Sequence, residues 1–164
     1  MSNFFHPLMH DNFQEIDFKS LITFLKKKQI LKQNKKVKKF EEEWSKWLGT
    51  KYSIFVNSGS SANFLSILAL ATLNKADKRN EIIVPSLTWI SDIVSVIKNG
   101  FKPIFVDINY KNLSMNIDQV KSKINKKTFG IFLTHAQGFN GLNEELLKII
   151  KRKKIFLIED VCES

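Results

Sequence analysis

A chain of 164 residues can bury a sizeable single core, and 43% hydrophobic with 12% aromatic residues argues for a globular protein rather than a disordered one. The formal charge of +10 invites a nucleic-acid reading, yet Arg79 and Arg152 are the only arginines, and phosphate and base recognition leans on arginine's planar fork, so the lysines read as solvated faces. Cys162 is the only cysteine, which excludes an intrachain disulfide, while no apolar run nears the ~20 residues of a membrane helix and no secretory signal opens the chain.

After His6-Pro7-Leu8, Asp17 is a plausible cap for a helix carrying Phe18, Leu21, Ile22 and Leu25 on one face. A polar break at Gln33-Asn34-Lys35 precedes a second amphipathic helix with Val37, Phe40, Trp44, Trp47 and Leu48, closed by Gly49 as a C-cap. Two helices before any strand suggest an N-terminal arm that packs on a later sheet. From Tyr52 onward strand and helix patterns alternate. Strands are expected at Ser53–Val56, Ile82–Val84, Pro103–Val106, Gly130–Thr134 and Ile155–Ile158. Helices are expected between them, at Ala62–Leu73, Ile90–Lys98, Ile117–Ile124 and Leu142–Ile150. The strands are short and apolar on both faces, as in a parallel sheet covered by helices on each side. Their starts lie roughly 20–30 residues apart, which leaves room for a crossover helix each time. The expectation is a three-layer α/β sandwich on a mostly parallel sheet.

The organising stretch is Ile54-Phe55-Val56-Asn57-Ser58-Gly59-Ser60-Ser61-Ala62-Asn63. An apolar run breaks into small polar residues and a helix begins at once. Free N–H groups and the positive end of a helix dipole converge there, a place suited to a phosphate. It is neither a GxGxxG nor a Walker loop. Other polar residues follow the remaining strands: Pro85-Ser86-Leu87-Thr88-Trp89, Asp107, His135 and Glu159-Asp160. All fall at carboxyl ends of strands, the edge where open α/β sheets bind ligands. By residue type, Asp160 reads as a counter-ion for a protonated ring nitrogen, a helix cap or a magnesium ligand. Trp89 reads as a stacking surface or an edge-of-core residue, and His135 as a ligand-facing donor or a satisfied structural histidine. Asp107 reads as a brace for its turn and Cys162 as a small buried apolar residue. No metal cluster, catalytic triad or close carboxylate pair is visible in the sequence.

Taken together these residues resemble the DegT/DnrJ/StrS-type sugar aminotransferases, pyridoxal-phosphate (PLP) enzymes of the aspartate aminotransferase fold. The resemblance runs from about His6 to Ser164 and rests on Val37-Lys38-Lys39-Phe40-Glu41, Asn57 to Ala62, Glu81 to Trp89, Lys102 to Ile108 and Ile158-Glu159-Asp160. It implies that Gly59, Ser60 and Ser61 hold the cofactor phosphate, that Trp89 stacks on the pyridine ring and that Asp160 pairs with the pyridine nitrogen. Glu163 stands where aminotransferases of the family carry Gln contacting the ring hydroxyl. His135 matches a region where many members have His, and no chemistry is assigned to it. The Schiff-base lysine lies well downstream in family members, and no lysine here has the matching context. The chain is therefore expected to be the first half of a PLP fold type I large domain, inactive and aggregation-prone alone, with residues 1–50 as arm and 51–164 as incomplete cofactor domain.

The resemblance further implies a nucleotide-linked keto-sugar as substrate, polysaccharide or glycoside biosynthesis as setting, glutamate as amino donor and a cytoplasmic homodimer as the complete protein. The acid at 163 leans toward the related PLP-dependent sugar 3-dehydratases, which replace the lysine with histidine. Family abundance leans toward aminotransferases, and that is the expectation, with 3-dehydratase or a non-catalytic remnant of the fold as alternatives. A basic nucleic-acid binder stands as a further alternative class, and neither nucleic acid nor membrane is the expected partner.

Overall fold

The computed structural model describes residues 11–74 and 77–164; the opening His6-Pro7-Leu8 lies outside them. The chain divides into two compact units, Met1–Phe55 and Val56–Ser164.

In the first unit, α1 spans Glu15–Lys26 and α2 spans Lys35–Leu48. Asp17 is not the cap residue but sits at the third helical position. From there its carboxylate reaches back to accept the N–H of Gln14, the residue that does precede the helix, at 2.9 Å. Asn34 caps α2 by accepting from the N–H of Lys36 at 2.8 Å. Gly49 ends it in the left-handed region at φ 75°, where a Cβ would be strained. The expected strand Ser53–Val56 is an extended segment without a ladder partner among the described residues. Its backbone is instead held by α2: the N–H of Phe55 donates to Glu41 at 2.8 Å, and the Phe55 ring meets Phe40 edge-on at 5.7 Å. An apolar run becomes a strand only when a neighbouring strand takes up its N–H and C=O groups.

The second unit alternates helix and strand in the order α3 (Gly59–Leu73), β1 (Glu81–Pro85), α4 (Ile90–Lys98), β2 (Lys102–Val106), α5 (Ile117–Lys123), β3 (Thr128–Thr134), a 3-10 turn (Ala136–Gly138), α6 (Glu144–Lys153) and β4 (Phe156–Asp160). The strands lie in the order β2-β1-β3-β4 and every pairing is parallel. Helix α3 starts three residues before its expected position because Ser58 caps it, accepting from the N–H of Ser61 at 3.2 Å. Helix α6 starts after Asn143, whose side chain accepts from Leu146 N–H at 2.9 Å, so its apolar Leu142 lies outside the helix.

Alternation along the strands splits the core into two layers. Ile83, Ile131 and Leu133 face Val120 of α5 and Leu146 of α6. Ile82, Val84 and Phe132 face Ile67 of α3 and Val96 of α4. One residue departs from this alternation. Between Glu81↔Thr128 and Ile82↔Gly130 the register slips by one, and Phe129 is the extra residue. The bulge turns its ring to the α3/α4 side, where it packs at a tilt against Phe101 and Phe156, with ring centroids 4.8 and 4.9 Å away. Gly130 beside it lies so near β4 that a Cβ would come within 3.0 Å of the Phe156 carbonyl. The fold is thus the expected three-layer α/β sandwich on a parallel sheet.

Candidate functional site

The carboxyl ends of β1, β3 and β4 and the first turn of α3 enclose a cavity of about 550 Å³. Gly59, Ser60, Trp89, Asp160 and Glu163 all line it; Ser61 does not. Ser61 faces inward to its own helix start, its N–H taken by Ser58 Oγ. The N–H groups of Gly59 and Ser60, by contrast, find no acceptor among the described residues. A Cβ at Gly59 would meet Cys162 Sγ at 3.0 Å, so a larger residue there would press on the loop after β4. A helix start with two unspent donors opening into a cavity suits an anion.

Asp160 closes β4 and is 7% exposed. Its Oδ1 accepts from the Cys162 N–H at 2.9 Å and its Oδ2 from Asn63 Nδ2 at 2.8 Å. Burial works to raise its pKa, but the bonds from the Cys162 backbone and Asn63 outweigh it and hold the carboxyl below the usual aspartate range. The group facing the cavity is therefore an anion. Trp89, just before α4, is 70% exposed, so it is not an edge-of-core residue but a free indole on the cavity rim.

Glu163 accepts from the N–H of Gln137 at 2.5 Å. That bond closes the turn in which Gln137 adopts the left-handed region at φ 56°. Cys162, expected to be buried, is exposed because it lies in the loop after β4 rather than in the strand. A side-chain hydrogen bond to Asp160, aided by partial desolvation and the surrounding carboxyl groups, pushes its thiol up to about 11.

His135 takes the structural role. It is 6% exposed, with Nδ1 accepting from the N–H of Gly141 at 3.3 Å, which leaves Nε2 to carry the proton and donate to Glu159 at 3.0 Å. Asp107 braces its turn as expected, its carboxylate accepting from Ile108 N–H at 2.8 Å. Among the described residues no cluster of three or more His, Cys, Asp or Glu is poised for a metal. Nor is any helix there long and apolar enough to cross a membrane.

Two site residues were not anticipated from the sequence, Asn63 and Asp92. The amide of Asn63 bridges two carboxylates, donating to Asp160 and to Asp92 Oδ1 at 2.7 Å. Asp92 is fully buried, yet it sits in the first turn of α4, where an acid passes for an ordinary complement to the helix dipole. The available signal was a side chain with strong hydrogen-bonding capacity near the head of each of two largely apolar helices, Asn63 of α3 and Asp92 of α4.

Known proteins resemble the chain in sequence and in fold. Residues 12–164 match the model of the DegT/DnrJ/EryC1/StrS aminotransferase family. A GDP-4-keto-6-deoxy-D-mannose 3-dehydratase of Yersinia pseudotuberculosis is 37% identical over 130 residues, covering 78% of this chain and 33% of that protein. The enzyme of the same name from Escherichia coli O55:H7 is 32% identical over 161 residues, 97% of this chain and 41% of its own length. A GDP-perosamine synthase of Escherichia coli O157:H7 is 31% identical over 128 residues, 78% of this chain and 34% of that protein. Among solved structures, a GDP-4-keto-6-deoxymannose-3-dehydratase with a trapped PLP–glutamate geminal diamine superposes with a TM-score of 0.89 at 32% identity, over 97% of this chain and 42% of that one. The chain thus spans about a third to two-fifths of the length of these relatives. Fold and sequence match agree, and the chain belongs to the DegT/DnrJ/EryC1/StrS aminotransferase family.

Proposed function

We propose that the cavity is a PLP site and that the complete protein acts on a nucleotide-linked keto-sugar. The observation that supports this most is the meeting, in one cavity, of an anion-binding helix start, an ionised buried carboxylate and an exposed indole. These three features match the phosphate, the ring nitrogen and the flat face of PLP. The N–H groups of Gly59 and Ser60 would hold the phosphate, while Ser61 acts indirectly by securing the cap of α3. Asp160 would keep the ring nitrogen protonated, since an anion beside it favours the charged form. Trp89 would cover one ring face, and Glu163, tied to Gln137, would stand at the wall beyond. When bound, PLP with a protonated ring nitrogen supplies an electron sink for a substrate carbon that loses a proton.

For the reaction itself, two observations favour 3-dehydration: the acid at Glu163, and the 3-dehydratases at 37% and 32% identity. Amino transfer, the expectation from family abundance, keeps support from the GDP-perosamine synthase at 31%. Glutamate as amino donor and a homodimeric complete protein belong to the same proposal. The test is to give the complete protein PLP, glutamate and a GDP-4-keto-6-deoxy sugar, and to weigh the product. Loss of the C3 hydroxyl identifies the dehydratase and an amino group at C4 the aminotransferase. No change in the PLP absorption spectrum on mixing would refute the cofactor site itself.

A further inference from the structure

Behind Asp160 lies a second carboxyl group, that of Asp92, which is fully buried. Its Oδ2, Thr88 Oγ1 and Thr134 Oγ1 form a closed triangle. Thr134 lies 2.9 Å from Asp92 Oδ2, Thr134 and Thr88 lie 2.6 Å apart, and Thr88 in turn bonds Asp92 Oδ2. Filled as three hydrogen bonds, the triangle takes three protons, of which the two hydroxyls supply two and a protonated carboxyl supplies the third.

The other oxygen of Asp92 points the same way. It accepts from Asn63 Nδ2 at 2.7 Å, and the same nitrogen donates to Asp160 at 2.8 Å. Two carboxylates joined through one amide nitrogen in a buried site cannot both hold a full charge without a cation. No Lys, Arg or His is bonded to Asp92 among the described residues. Its titratable neighbours are Asp160 at the end of β4 and Cys162 in the following loop, while α3, α4, β3 and the loop before α4 bond to it through Asn63, Ser91, Thr134 and Thr88. Burial accordingly holds the Asp92 carboxyl above the usual aspartate range, against the Thr88 and Thr134 bonds and with help from Asp160, while Asp160 is held below it.

We propose that Asp92 is a positioning residue that carries a proton, so that the Asp92–Asp160 pair shows the cavity a single negative charge located on Asp160. Through Thr88 it also fixes the loop that bears Trp89, and through Asn63 it fixes the orientation of the Asp160 carboxylate. The link to ligand binding rests on the PLP reading above; the proton on Asp92 does not.

The experiment has two arms. Infrared spectra of the complete protein without PLP, at pH 7, should show the C=O stretch of a neutral carboxylic acid that disappears in Asp92→Asn. Absence of that band, or its persistence in the variant, overturns the proposal. In the second arm PLP is titrated into wild type, Asp92→Asn and Asp92→Leu. Asparagine mimics the neutral acid, with an N–H in place of the O–H, and should keep affinity within about 3-fold, whereas leucine strands Asn63 and both threonines and should lose at least about 10-fold. Equal losses in both variants overturn the positioning role. Should Asp92→Leu fail to fold, the infrared arm and the Asp92→Asn titration still decide. If the band is present and wild type does not bind PLP, the cofactor reading falls while the protonated Asp92 stands.

Discussion

The two ends of the parallel sheet are both polar and both contain buried acids, yet they use them in opposite ways. At the amino end, Glu81 is met by Asn125 Nδ2 at 2.8 Å, and Arg79 is bound to Asp77 and to the carbonyls of Thr128 and Lys154 at 3.3 and 3.0 Å. A hollow of about 400 Å³ lies there too, lined by Arg79 and Asn125, but both of these are committed to protein partners. At the carboxyl end, the N–H groups of Gly59 and Ser60, the anion of Asp160 and the indole of Trp89 all open into the cavity. Polarity and burial alone do not mark a site. Groups whose interactions remain to be completed by something else do.

Substitutions at the two ends should therefore separate affinity from stability. Asp160→Asn removes the anion and should weaken PLP binding by roughly 100-fold in an absorbance titration of the complete protein, with a smaller effect on its melting temperature. Arg79→Ala should do the reverse, costing about 2 kcal/mol in denaturant unfolding through two orphaned carbonyls and an unpaired Asp77, with PLP affinity unchanged. A loss of affinity in Arg79→Ala would erase the distinction between the ends. Gly59→Ala pushes a methyl to 3.0 Å from Cys162 Sγ and should cost about 1 kcal/mol of PLP binding as the helix start shifts.

The smallest effects are those of pH. Alkylation of Cys162 should rise with a midpoint near 11, and Asp160→Asn should lower that midpoint by removing the hydrogen-bonded anion. The two aspartates give opposite slopes. Asp160, held low, contributes stability that is present above the usual aspartate range and lost as pH falls through its depressed value. Asp92, held high, contributes stability that is present below that range and lost as pH rises through its raised value. Melting curves of Asp92→Asn should lack only the second slope.

Much of this was readable in the chain because strand and helix periods alternate cleanly after Tyr52. Helix α4 was expected with its observed bounds, and the polar residues after β1, β3 and β4 were expected to meet at one edge. Helix starts were less legible where the capping residue lies away from the start of the apolar pattern, as with Ser58 and Asn143. The stretch Ser53–Val56 misled because composition reports a strand's affinity for apolar surroundings and not whether a second strand stands beside it. Asp92 was invisible for a related reason: the triangle with Thr88 and Thr134 joins a residue of β3 to the start of α4, 42 positions apart.

The bond from Gln137 to Glu163 has a mechanical consequence. A side chain at Gly138 would come within 2.6 Å of the Glu163 carbonyl, so the segments after β3 and β4 are clasped against each other with no slack. A cofactor would then come and go past the opposite side, where the Trp89 indole stands exposed.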